Sequence, residues 1–121
     1  MTNEEELKQI ISKIPEYAEF EALAVVTKEG ARQAFWSKSE VDPDLLSAMA
    51  ATILQTSNKA AKKMGFGTLF EVIVRGENGY MVLSDAGPFV LIGAGREVTS
   101  LGLSIRVLRE FARKISEKFS E

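Results

Sequence analysis

Cysteine and histidine are both absent from this sequence. Their absence excludes thiolate nucleophiles, disulfide bonds, Cys/His zinc sites and histidine-based catalytic triads. The carboxylates that are present show no spacing that would pair two of them in a catalytic cleft, and we interpret them as a solvated surface. The sequence therefore predicts a protein that is not an enzyme.

Nucleotide-binding motifs are also lacking. Gly93-Ala94-Gly95 follows a predicted strand, as a phosphate-binding turn would, but Val98 occupies the position of the third glycine in the dinucleotide-binding motif. We interpret these glycines as a strand end that needs flexible backbone. No glycine in the chain is followed by lysine, which excludes a Walker A motif. We expect no bound cofactor.

Long apolar runs and an excess of positive charge are missing as well. No run approaches the ~20 apolar residues that cross a bilayer. The first six residues include three glutamates and no basic residue, whereas a signal peptide begins with basic residues. The formal net charge of −2 provides no basic field for nucleic acid. We expect a soluble, cytoplasmic protein that is not an integral membrane protein and does not bind nucleic acid.

The apolar residues that are present predict three helices. Leu7, Ile10 and Ile11 have helical spacing, and Pro15 marks the end of this first helix. Asp42 as an N-cap and Gly65 as a C-terminal glycine bound a long second helix over residues 43–64. A helical stripe from residue 101 to residue 119 predicts the third helix.

Five strands are predicted between these helices. Residues 20–27 and 31–37 form a hairpin, and residues 68–75, 80–85 and 89–94 form a three-strand antiparallel meander. The order α-β-β-α-β-β-β-α predicts an α+β fold with a five-stranded antiparallel sheet covered by helices. No repeat or linker divides the chain, so we expect one domain over residues 1–121.

The second helix is unusual because residues 45–58 contain no charged side chain. Its apolar residues cover about half of the helix circumference, wider than the ~100° stripe that a helix needs to lie on a sheet. We expect this half to pack on the sheet; it comprises Leu45, Leu46, Met49, Ala50, Ile53, Leu54, Ala60, Ala61 and Met64.

The other half of this helix is small and neutral, and it comprises Ser47, Ala48, Ala51, Thr52 and Gln55. Small side chains let a second helix approach closely, whereas helix propensity alone would equally accept Glu or Lys. Strand three, residues 68–74, carries few of the charges or prolines that protect a sheet edge. A two-fold dimer that joins the second helix and strand three to their mates would cover both.

The order and spacing of these elements resemble the roadblock family of dynein light-chain-type proteins over almost the whole chain. The similar parts are the short first helix, the hairpin sequence ALAVVTKEG of residues 22–30, the long helix with small residues, and Ser100-Leu101-Gly102 at the start of the last helix. The resemblance implies that the sheet lies between the second helix on one face and the N- and C-terminal helices on the other.

The resemblance also implies a function. Members of this family dimerise through helix two and strand three, so the partner would be a second copy or a roadblock paralogue. The implied contact residues are Ser47, Ala48, Ala51, Thr52, Gln55, Phe70 and Val72. Such dimers are non-catalytic scaffolds or regulators of Ras-like small GTPases. An alternative from another class is a small-ligand sensor, because a sheet with flanking helices can hold a pocket.

Overall fold

The computed structural model describes residues 1–120, and in it three α-helices and five β-strands follow one another in the predicted order. The predicted α+β fold is thereby confirmed. The helices are α1 (Asn3–Ile11), α2 (Pro43–Lys63) and α3 (Leu101–Phe119). The strands are β1 (Ala22–Thr27), β2 (Arg32–Ser37), β3 (Glu71–Gly76), β4 (Gly79–Ala86) and β5 (Phe89–Gly95).

Both ends of α2 are fixed by the local chemistry that the sequence predicts. The Asp42 carboxylate accepts hydrogen bonds from two main-chain N–H groups of the first turn, at 2.9 and 3.3 Å. At the other end Gly65 has a φ of +70°, and the Phe66 N–H donates to the Ala61 carbonyl at 2.8 Å. This pattern is a Schellman motif, which satisfies carbonyls that the helix leaves open.

Several predicted boundaries differ from the structure by one or two residues, and two differ by about three. The first helix ends at Ile11, and Pro15 lies in a separate 3-10 turn, Ile14–Glu16. Strand β3 begins at Glu71, three residues later than predicted. The strand begins later because Gly65 and Gly67 both adopt positive φ and turn the chain between α2 and β3.

The sheet is antiparallel throughout, with the strand order β2-β1-β5-β4-β3. On one face, α2 contributes Leu46, Ala50 and Leu54 to a buried core with residues of β1, β4 and β5. On the other face, α1 and α3 form a second core that includes Leu7 and Leu108. The predicted division of helices between the two faces is confirmed, and β2 and β3 are the two edge strands.

Gly93 and Gly95 lie inside β5, and their role differs from the flexible strand end that we expected. A Cβ on Gly95 would stand 2.5 Å from the Tyr80 hydroxyl oxygen, and one on Gly93 would stand 2.8 Å from Leu108. The Tyr80 hydroxyl shares a 2.6 Å hydrogen bond with Ser104 of α3, and burial raises the pKa of Tyr80. The two glycines therefore make room for side chains that pack between β5 and α3.

We predict that Gly95→Ala lowers the free energy of unfolding by about 1–3 kcal/mol, because the buried Tyr80 ring has to move. Gly102→Ala in α3 is the matched control, since a Cβ there meets nothing within 4 Å, and helix propensity should leave stability equal or slightly higher. Urea unfolding followed by circular dichroism, at one protein concentration, measures both. Equal midpoints for the two variants would contradict this account.

Candidate interaction surface

The outward side of α2 is more apolar than the sequence indicates. Leu45 and Met49 are 60% and 49% exposed, and Met64 is exposed as well. We expected these three residues to face the sheet, and that expectation is wrong. The sheet contacts only a narrow stripe of α2, because one straight helix presents one line of side chains to it. The exposed side of α2 thus combines Leu45 and Met49 with Ala48 and Thr52.

Ser47 does not lie on this outward side, contrary to our expectation. Only 7% of the residue is exposed. Ser47 lies roughly 60° around the helix from Ala50, which is fully buried on the sheet-facing side. The free surface of α2 therefore excludes Ser47, while Ala48, Thr52 and Gln55 are exposed on it.

Ala51 is half-buried because the turn between β1 and β2 packs against it. Gly30 in this turn has a φ of +95°, and a Cβ on Gly30 would stand 2.7 Å from the Ala51 Cβ. The small size of Ala51 therefore has a role within its own chain, in addition to the intermolecular role that the resemblance implies.

The segment from the end of α2 to β3 carries two exposed aromatic side chains. Phe66 and Phe70 are 73% and 72% exposed. Val72 is half-buried and packs against the core beneath α2, and Asn58 of α2 lines the same cleft as Phe70. We define the α2–β3 surface as the exposed side of α2, with Phe66, Phe70 and the free edge of β3.

The two sheet edges differ in how they are protected. At the β2 edge, the Lys8 ammonium of α1 donates a hydrogen bond to the Phe35 carbonyl, which occupies one outward-facing acceptor. In the part of the chain that the structure describes, the β3 strand pairs with β4 alone. Within residues 1–120, no side chain or loop bonds to the outward main-chain groups of β3.

One ion pair joins α3 to the face of β3 that is turned away from α2, and two others lie within α3. Arg109 holds the Glu71 carboxylate in a bidentate contact, with an Nη2 to Oε2 distance of 2.7 Å, and this contact raises the pKa of Arg109. On the outside of α3, Arg113 bonds Glu110 and Glu117 at 2.5 Å each and holds the pKa of Glu110 below its ordinary value. These arginines are therefore neutralised locally.

The cavities of the described residues include a small cleft and open depressions. The cleft between α2 and β3 holds about 100 Å³, whereas small-molecule sites are typically about 300–1,000 Å³. An open depression of about 400 Å³ beside the β3–β4 turn has Glu21 and Arg96 as its charged residues.

Within residues 1–120, no cluster of acidic side chains could hold a metal ion, and no helix could cross a membrane.

Comparisons with known proteins agree on the fold. A family model described as the Roadblock/LC7 domain matches residues 7–95. Two uncharacterized proteins of Methanocaldococcus jannaschii are each 32% identical over 95 residues, which is 78% of this chain and 83% of theirs. The structure of MglB from Myxococcus xanthus gives a TM-score of 0.88 at 16% identity, covering 98% of this chain and 91% of that one.

We predict that Gly30→Ala destabilises the protein more than Gly67→Ala does. Both glycines have positive φ, so both substitutions cost about 1–2 kcal/mol of backbone strain. At Gly30 the new methyl group also collides with Ala51, which adds about 1–3 kcal/mol, whereas at Gly67 it meets nothing within 4 Å. Thermal and urea unfolding measure the difference, and Ala51→Gly should restore part of it. Equal losses would mean that Ala51 does not constrain the turn.

Proposed function

This chain belongs to the Roadblock/LC7 family, and from that membership we propose that it is a cytoplasmic, non-catalytic homodimer that scaffolds or regulates a Ras-like small GTPase. In this proposal residues 1–121 form one roadblock domain. The dimer is built through the α2–β3 surface, and the GTPase contacts the paired α2 helices.

The observation that carries the dimer is the exposure of large apolar side chains on α2 and on the segment that joins it to β3. Leu45, Met49, Phe66 and Phe70 all remain about half or more exposed in the single chain. Contiguous exposed apolar surface is rare on monomeric soluble proteins and marks interaction sites. A two-fold axis brings the same surface of each copy onto the other, so one dimer would cover all of it.

The free edge of β3 supports the same arrangement. Unpaired strand edges are templates for pairing with another chain. Within residues 1–120, a lysine bonds to a carbonyl of the β2 edge and none bonds to the β3 edge. Antiparallel pairing of two β3 strands would satisfy their outward N–H and C=O groups and join two five-stranded sheets into one. This supports β3 as the pairing edge.

The proposed regulatory role follows from how a binding module can act on a GTPase. A dimer that binds one arrangement of the GTPase loops more tightly than another shifts the population toward that arrangement. It does so by binding energy alone, without a catalytic side chain of its own. The choice of a Ras-like GTPase as partner rests on the family.

We predict that Ala48→Glu combined with Thr52→Glu weakens dimerisation by at least tenfold. Both side chains are exposed on α2 and outside the core, and two carboxylates in a closely packed helix–helix contact would be costly to desolvate. Light scattering after size-exclusion chromatography at tens of micromolar measures the mass. The matched control is Gln9→Glu on the exposed side of α1, which should leave the mass unchanged. A monomeric unmodified protein would contradict the dimer itself.

We predict that the unmodified dimer binds at least one small GTPase of its own organism with a preference for the GDP or the GTP state. Purified GTPases loaded with GDP or a non-hydrolysable GTP analogue would be titrated by calorimetry, and hydrolysis and exchange rates would be measured with and without the protein. The Ala48→Glu/Thr52→Glu variant should bind at least tenfold more weakly. If no GTPase binds in either state, the proposed partner class is wrong.

A further inference from the structure

The main chain of β3 determines which of its residues can bond to another strand. The Asp85 N–H donates to the Phe70 carbonyl at 2.8 Å, and the pairing continues with Val72 opposite Leu83. In an antiparallel ladder every second residue bonds to the same neighbour. The N–H and C=O groups of Glu71, Ile73 and Arg75 therefore point to the free edge.

The side chains of these same three residues lie on the α3 side of the sheet. Glu71 bonds Arg109 of α3, and Ile73 is paired with Val82, which belongs to the core beneath α1 and α3. Side chains two residues apart along a strand share a face, so Arg75 lies on this side as well. Val72 and Val74 lie on the opposite side, toward α2, where they pair with Leu83 and Met81.

Two antiparallel β3 strands can pair only in registers that place outward-facing residues opposite one another. With the two-fold axis at Ile73, Glu71 lies opposite Arg75 of the second copy, and the reciprocal pair forms as well. With the axis at Glu71, the two Glu71 side chains lie opposite each other, and with the axis at Arg75 the two Arg75 side chains do so. Like charges directly across a ladder are destabilising. With the axis at Val72, neither opposite-charge pair forms.

The axis at Val74 is disfavoured by a further charge, because it places Glu71 opposite Glu77 of the second copy. The axis at Ile73 also places Phe70 opposite Gly76 of the second copy. Glycine leaves an open space in a strand, and an aromatic side chain on the neighbouring strand can cover it. Phe70 is among the most exposed side chains of this surface. In this register Gly76 of the second copy would lie against its ring and cover part of it.

We propose that two copies of this chain pair their β3 strands with the two-fold axis at Ile73, and that the Glu71–Arg75 ion pairs select a second identical copy over other roadblock chains. This inference rests on the homodimer proposed above and adds its register and the residues that determine its specificity. Arg109 holds the Glu71 carboxylate in place before the partner arrives, and Glu71 is only 18% exposed at its side chain. Arg75 is exposed and has no ion pair within residues 1–120.

Cysteine cross-linking reads the register directly, since the natural chain has no cysteine. With the axis at Ile73, Val72 lies opposite Val74 of the second copy in a non-hydrogen-bonded pair, with the Cα atoms about 4.5 Å apart, within disulfide range. Differently tagged Val72→Cys and Val74→Cys chains, mixed in reductant and then oxidised, should give the mixed disulfide dimer. Either variant alone should stay uncross-linked, because equivalent positions lie about 7–8 Å apart.

The other outcomes of the cross-linking overturn the register. Cross-linking of Val72→Cys alone would place the axis at Val72, and cross-linking of Val74→Cys alone would place it at Val74. Absence of the mixed product from chains that remain dimeric by light scattering would also overturn it, while the homodimer would stand. If the chains are monomeric, the proposed function fails instead, so the two failures are distinguishable.

Charge reversal tests the specificity. Glu71→Lys and Arg75→Glu should each weaken the homodimer roughly tenfold or more, because each creates two like-charge pairs across the axis. Mixed together, the two variants should form the heterodimer in clear preference to either homodimer, since both pairs across the axis are then opposite in charge. Arg109→Ala controls for the loss of the contact within the chain and should retain dimerisation. If the mixture shows no preference for the heterodimer, the ion pairs do not determine specificity.

Discussion

The pairing of β1 with β5 is the contact on which the rest of this structure depends. These strands are far apart in the sequence, and their six-residue register from Ala22↔Ala94 to Thr27↔Phe89 joins the N-terminal hairpin to the C-terminal meander. It makes β1 and β5 central and leaves β2 and β3 as the edges. Because β1 is buried on both faces, each face must be covered by helices, and the free edge that we propose for pairing follows from the same order.

Local chemistry explains how much of this arrangement the sequence could predict. The Asp42 cap and Gly65 terminate α2 with groups only a few residues away, so the helix was predicted to within one residue of its observed end. Helical and alternating spacing placed all eight elements in their correct order. The β1–β5 pairing carries no such local signal, because its partners are separated by about 65 residues, and the resemblance to a known family supplied the arrangement of helices around the sheet.

The surface of α2 shows that the spacing of apolar residues alone does not predict which side chains of a helix are buried. Apolar side chains at helical intervals indicate that a helix will be covered, but they do not identify what covers each one. Leu45 and Met49 fit the expected stripe and yet point outward, while Ser47 fits the polar half and is buried. Ala51 is small for a reason that only the folded chain reveals, since Gly30 of a distant turn packs against it. In each case a long-range contact decided the placement.

The C-terminal helix connects this fold to its proposed specificity. The family match ends at Gly95, whereas Arg109, which orients Glu71 on β3, lies in α3. The position of a charge on the edge strand thus depends on a residue outside the matched span. A chain with the same sheet but another residue at that point of its last helix would present its edge charges differently. In the pairing that we propose, two roadblock chains could share one fold and still select their own copies, because side chains on the edge can distinguish partners whose main chains offer the same hydrogen bonds.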